Sequence, residues 1–157
     1  MKLVSIASAV VWVDFLTIIL SKIFHLGHSL DKWYTQFGIV AVISDCLVIV
    51  LGILLVLIVF PNISLMYLVI AAVTLQIVHD VLFFMFVIQP LPPGHNAMID
   101  LFKEYADENS WKILVADSLM IASTCILASY LDTIPLLYSS FVGLLGAYGI
   151  TYIIYTT

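Results

Sequence analysis

Four aspartates, Asp14, Asp45, Asp80 and Asp117, each interrupt a different apolar stretch of this 157-residue chain, and His79 stands beside the third. A carboxylate in hydrocarbon costs from about 3 kcal/mol upward unless it is hydrated, paired or protonated, so each acid is by default a functional candidate. Groups of this kind bind protons, small cations or metal ions. No lysine lies deep enough to neutralise all four, and only His79 and His25 add groups able to carry positive charge.

The four acids also share a depth. Asp117 is five residues from Lys112, Asp45 eight from Phe37, Asp80 ten from Pro90 and Asp14 ten from Phe24. At the helical rise, these counts place them roughly 7–15 Å from the same membrane face. Asp14, Thr17, Ser21, His25 and His28 follow one another at helical spacing, as do Gln76, His79 and Asp80. In the second stretch Gly38, Ala41, Asp45 and Gly52 share a face of small residues, and in the fourth Asp117 and Thr124 lie one heptad apart. The sequence therefore predicts a polar cavity open to that membrane face and lined by Asp14, Asp45, His79, Asp80 and Asp117, with Thr17, Ser21, His25 and Gln76 around it. Tyr148, Tyr152 and Tyr155 recur towards the same end of the fifth stretch and are expected to turn their hydroxyls into that zone.

The elements that must position these residues follow from composition. Apolar residues make up 64% of the chain and charged residues 10%, with a mean hydropathy of +1.21. This is the composition of an all-α integral membrane protein, since a bilayer about 30 Å thick takes runs of roughly 20 apolar residues. Five spans are predicted, over 3–24, 38–60, 64–89, 112–131 and 134–156, packed as one compact bundle. The first resembles a signal peptide but carries Asp14 at its middle and no suitable cleavage site, so it reads as a retained span. "FPNIS" and "DTIP" are turns short enough to predict antiparallel hairpins.

Longer connections lie at the opposite end, the loop side. "HLGHSLDKWYTQF" reads as a connection ending in Trp33, Tyr34 and Phe37, residues suited to the headgroup region. After Asn96, a good N-cap, Met98, Leu101, Phe102 and Tyr105 recur at helical spacing opposite Asp100, Lys103, Glu104, Asp107 and Glu108, predicting one short amphipathic interfacial helix over 96–108. Lys22, Lys32, Lys103 and Lys112 flank the loop side and only Lys2 the other, which places the carboxyl terminus in the cytoplasm and the amino terminus outside. On that topology the sequon Asn62-Ile63-Ser64 faces out in a turn too short to present it.

Several function classes fall away. A formal charge of −5 without arginine excludes a nucleic-acid partner. Cys46 and Cys125 form no CxxC, and no nucleophile motif or phosphate loop is present. The residue types suit a metal, yet there is no HxxxH or DxxD pair, and His79 and Asp80 are adjacent residues whose side chains should diverge; a metal remains an open question and no cofactor is implied. Ser139, Gly143, Ala147 and Thr151 form a small-xxx-small row for packing within the chain, or for a homo-oligomeric seam through Gly143 and Ala147.

The stretch "GHNAMIDLFKEYADENSWKILVADSLMIASTCILASYLD" resembles small uncharacterised multi-pass membrane proteins encoded by large DNA viruses of algae and protists. The resemblance covers about a quarter of the chain; it implies a viral or host membrane and assigns no catalytic residue. The leading expectation is binding or passage of protons or small cations through the acid-lined cavity, as a channel or transporter. A structural or assembly protein of a viral or cellular membrane, with the acids as contacts between helices, is the first alternative. An intramembrane enzyme acting on lipid headgroups is the second.

Overall fold

A computed structural model describes residues 1–156, whose regular structure is all helical, without strands. Seven helices follow in chain order: α1 (Leu3–Phe24), α2 (His28–Phe37), α3 (Ile39–Val59), α4 (Leu65–Phe83, continued by a π-helical turn over Phe84–Ile88), α5 (Ala97–Asn109), α6 (Lys112–Leu131) and α7 (Leu136–Ile153). Five of them are long and apolar enough to cross a membrane: α1, α3, α4 with its π turn, α6 and α7. The chain is thus a multi-pass membrane protein by the length and composition of its helices. Tyr67, Tyr130 and Tyr138 are exposed at the far-side ends of α4, α6 and α7, where amphipathic rings suit a headgroup layer.

One short helix was expected and two are found. α5 forms as its pattern predicts, with the Asn96 side chain accepting from the N–H groups of Met98 and Ile99 at 2.9 and 3.2 Å. α2 replaces what reads as a connecting loop. Its Trp33 and Tyr34 are 5% and 3% exposed, packed with Ile18, Ala41, Leu101 and Ile150, so they belong to a core and not to the headgroup surface. α2 runs into α3 at a corner made by Gly38, whose φ of 54° and ψ of −128° suit a residue without Cβ.

Helices α1, α3, α4 and α6 form a ring in which each packs on two neighbours, with α1 across from α4 and α3 across from α6. Each contributes one of the four aspartates. α7 carries no acid and stands outside the ring against α1. The short 132–135 turn makes α6 and α7 run antiparallel, but α1 is the principal neighbour of both, so the expected pairing of the fourth and fifth spans is replaced by packing on the first.

Small residues on α7 set that contact. A Cβ on Gly143 would lie 2.3 Å from Ser8 Oγ and 3.2 Å from the Ser8 Cα, while Gly146 lies against Val11 and Trp12, and Gly149 against Phe15. Ser8 Oγ donates to Ser139 O at 2.8 Å, and Trp12 Nε1 to Val142 O at 2.9 Å. The packing face is therefore Ser139, Gly143, Gly146 and Ile150, whereas Ala147 and Thr151 of the expected row are exposed. Gly143 is occupied inside the chain, leaving Ala147 alone of the expected oligomeric seam on the surface.

Carboxylates tie the ends together. Asp132, after α6, accepts from the Lys2 backbone N–H at 2.7 Å and from Ser5 Oγ at 3.1 Å, capping the first turn of α1. At the loop side Glu108 of α5 accepts from the backbone N–H groups of His28 and Ser29, both at 2.8 Å, capping α2. The far half of the ring is apolar, filled by Ile6, Ile49, Ile53, Leu68, Ile121 and Leu131.

Candidate functional site

Asp14 points inward from the midpoint of α1. It is 0% exposed, and neither carboxyl oxygen has a hydrogen-bond partner among the described residues. Two turns towards the loop side, Ser21 is also 0% exposed with an unpartnered Oγ. Thr17 between them turns its hydroxyl back onto Val13 O at 2.9 Å. The predicted stripe stops there: α1 ends at Phe24, His25 is exposed in a left-handed conformation with φ 48°, and His28 begins α2 on the surface. His25 is therefore not in the polar zone, because the helix that would have carried it inward has already ended.

Asp45 on α3 is half-buried, and its Oδ2 accepts from the indole Nε1 of Trp33 at 2.9 Å. Gly52, expected on the same face, has no atom within 4 Å of where a Cβ would stand and lies open. On α4, Gln76 is buried and its Nε2 donates to Asp80 Oδ1 at 2.7 Å. His79 Nδ1 approaches the same oxygen at 3.0 Å, so the two adjacent side chains converge where divergence was expected. The imidazole manages this from the outer surface by stacking on Phe83, with ring centroids 5.7 Å apart and planes 9° apart. Asp117 on α6 is half-buried and has no such latch. Asp45 lies within electrostatic reach of both Asp14 and Asp117, and Asp117 of Asp80. The ring thus brings the four acids into one zone.

α2 and α5 cover that zone from the loop side, which corrects the expectation of an open cavity. Tyr34 lies within electrostatic reach of Asp14 and Asp45, and burial, followed by the repulsion of those two carboxyls, holds its phenol well above the ordinary range. Tyr105 of α5 lies within electrostatic reach of Asp117 and Asp45, and burial followed by those acids and Glu108 raises it too. Trp33 packs between Phe37 and Phe102, with ring centroids 5.2 and 4.9 Å away and the rings tilted, joining the two short helices over the site. Trp33 and Tyr34 were missed as site residues. Their signal was Leu30, Trp33, Tyr34 and Phe37 at helical spacing, the same cue that identifies α5.

Tyr148 and Tyr152 are not part of the lining. They are 61% and 63% exposed on the outer face of α7 and bond each other through their hydroxyls at 3.0 Å. α7 has its glycine face turned to α1, so its tyrosines face outward.

Among the described residues no three His, Cys, Asp or Glu side chains converge closely enough to hold one metal ion. The four acids are spread over four helices and are not gathered into a cage. Chemically, such an arrangement can take up protons at separate carboxyls, or surround a small monovalent cation with contributions from hydroxyls. No protein-family model, no curated protein and no solved structure matches this chain.

Proposed function

We propose that this protein binds protons at the Asp14–Asp45–Asp117–Asp80 zone, with small monovalent cations as the competing occupant, and moves them as a transporter. The observation that carries this reading is Asp14: a fully enclosed carboxyl with both oxygens unpartnered. A group that served only to join helices would be hydrogen-bonded, since an unsatisfied buried polar atom costs about 1–3 kcal/mol. An unpartnered one fits a site whose partner comes and goes.

The surroundings favour a transporter over an open channel. The acids occupy the loop-side half of the ring, and below them the interior is closed by Ile6, Ile49, Ile53 and Leu68. Passage across that half requires the helices to move. The lysine distribution supports a cytoplasmic loop side, from which protons reach the acids.

The test is proton uptake by vesicles containing the purified protein, read with an enclosed pH-sensitive dye. The parent protein should acidify the lumen along an imposed gradient, and Asp14→Asn should abolish this while remaining folded. Equal uptake by the two proteins, or none by the parent, removes the reading.

A structural role is favoured by different residues. The Trp33–Asp45 and Gln76–Asp80 hydrogen bonds each engage one carboxyl oxygen of an acid, as a protein that uses its acids to join helices would require, although Asp80 Oδ2 is left unpartnered. On that reading Asp14→Asn should leave vesicles inert, like the parent, and the membrane partner would be protein.

A further inference from the structure

The short helix α2 is held over Asp14 by contacts unlike those that hold the spans together. Its two ends are glycine-bounded, with Gly27 before it and the φ 54° corner at Gly38 after it. Its first turn has no cap of its own, and that role falls to Glu108, which comes from α5 and bonds the His28 and Ser29 amides. The same seam carries the Lys32–Glu104 ion pair, and a groove lined by Lys32, Thr35, Gln36, Ala97, Asp100 and Glu104 separates the two helices on the outer face. On the inner side of α2, Trp33 and Tyr34 pack with Ile18 of α1, and on that helix the unpartnered Ser21 hydroxyl lies one turn nearer the loop side and Asp14 one turn deeper.

We propose that α2 is a gate over the Thr17–Ser21 face of α1, latched shut by the Glu108 carboxylate. This rests on the reading of Asp14 as a proton-binding group and names how that group is reached. With the latch in place, Trp33 and Tyr34 seal the route. With it released, α2 swings on Gly27 and Gly38, the Trp33–Asp45 bond breaks, and water from the loop side meets Ser21 and then Asp14. A surface carboxylate suits this role because its bonds to two amides have water as a ready substitute, whereas the apolar core of the ring does not.

The latch is tested without measuring transport. In the full chain in lipid nanodiscs, hydrogen exchange follows the amides of 28–37 and of 3–20, and a membrane-impermeant maleimide probes Ser21→Cys in a background with Cys46→Ala and Cys125→Ala. Adding Glu108→Ala should raise exchange in α2 by roughly five- to tenfold, the size of one lost cap, and speed labelling of Ser21→Cys by a similar factor, with α1 exchange unchanged. Glu108→Gln, which keeps an acceptor, should fall between. Unchanged labelling and exchange in both variants overturns the gate. Equal acceleration of α1 and α2 also overturns it, because Glu108 would then support the whole fold. Either result stands whether or not the vesicles take up protons, so failure of the gate is separable from failure of the proton-binding reading.

Discussion

The indole N–H of Trp33 donates to Asp45 Oδ2 at 2.9 Å, joining a ten-residue surface helix to a carboxyl inside the ring. The bond supplies Asp45 with a partner that no residue of its own helix provides. Trp33→Phe keeps the ring against Phe37 and Phe102 but removes the donor. Unfolding titrations should show a loss of about 1 kcal/mol, the cost of leaving a half-buried acceptor unmet. Combined with Asp45→Leu, the loss should be smaller than the sum of the two single changes. Simple additivity would show that the bond contributes nothing.

The contact between Ser8 and Gly143 gives a prediction with an internal control. A Cβ at Gly143 would stand 2.3 Å from Ser8 Oγ and 3.2 Å from the Ser8 backbone, so α1 and α7 must separate to admit it. Gly143→Ala should cost about 1–3 kcal/mol, the range for overpacking. Gly52 has no neighbour within 4 Å, so Gly52→Ala should be neutral or stabilise α3 by roughly 0.5–1 kcal/mol. Equal thermal stability of the two variants would contradict the packing of α7 on α1.

These helices differ in how far the sequence reveals them. Hydropathy is a sum over some 20 residues, so the five spans and their ends are legible, as is α5, whose Asn96 cap and apolar face are both local. Partner choice is not local. The rows 139/143/147/151 and 139/143/146/150 differ by one helical step, and only Ser8, Trp12 and Phe15 on a distant helix select the second. That selection also turned Tyr148 and Tyr152 outward. Depth counting brought Asp14, Asp45, Asp80 and Asp117 together, because their common level depends only on helical rise. It said nothing of Tyr34 and Tyr105, which reach the acids from helices lying across the mouth of the ring.

Two caps outside the spans give a pH dependence with a defined sign. The Ser29 side chain and the Ser29 and His28 amides hold Glu108 below its ordinary 4.5, and the Lys2 amide, Ser5 and the nearby positive charges of the amino terminus and Lys2 hold Asp132 below 3.8. Carboxyls depressed in this way stabilise the fold fully above their ordinary values and lose that contribution as pH falls through the depressed ones. The stability gap between the parent and Asp132→Asn should be constant near neutrality and close in acid below pH 3.8; Glu108→Gln should behave alike below 4.5. A gap that widens with acidification has the opposite sign and would refute both assignments.

Asp14 separates function from structure most sharply. Its carboxyl is enclosed without a partner, so its removal takes away a desolvation cost and breaks no hydrogen bond. Asp14→Val keeps a compact side chain on a helix already rich in valine. It should leave thermal stability equal or raise it by about 1–3 kcal/mol, as when an uncompensated buried polar group gives way to an apolar one. It should also abolish proton uptake. Stability gained with function lost is the pattern of a residue retained at a cost for what it does. A helix-joining acid gives the reverse: Asp14→Val would unfold the bundle at lower temperature, and the carboxyl would have to find its partner in another conformation of the bundle.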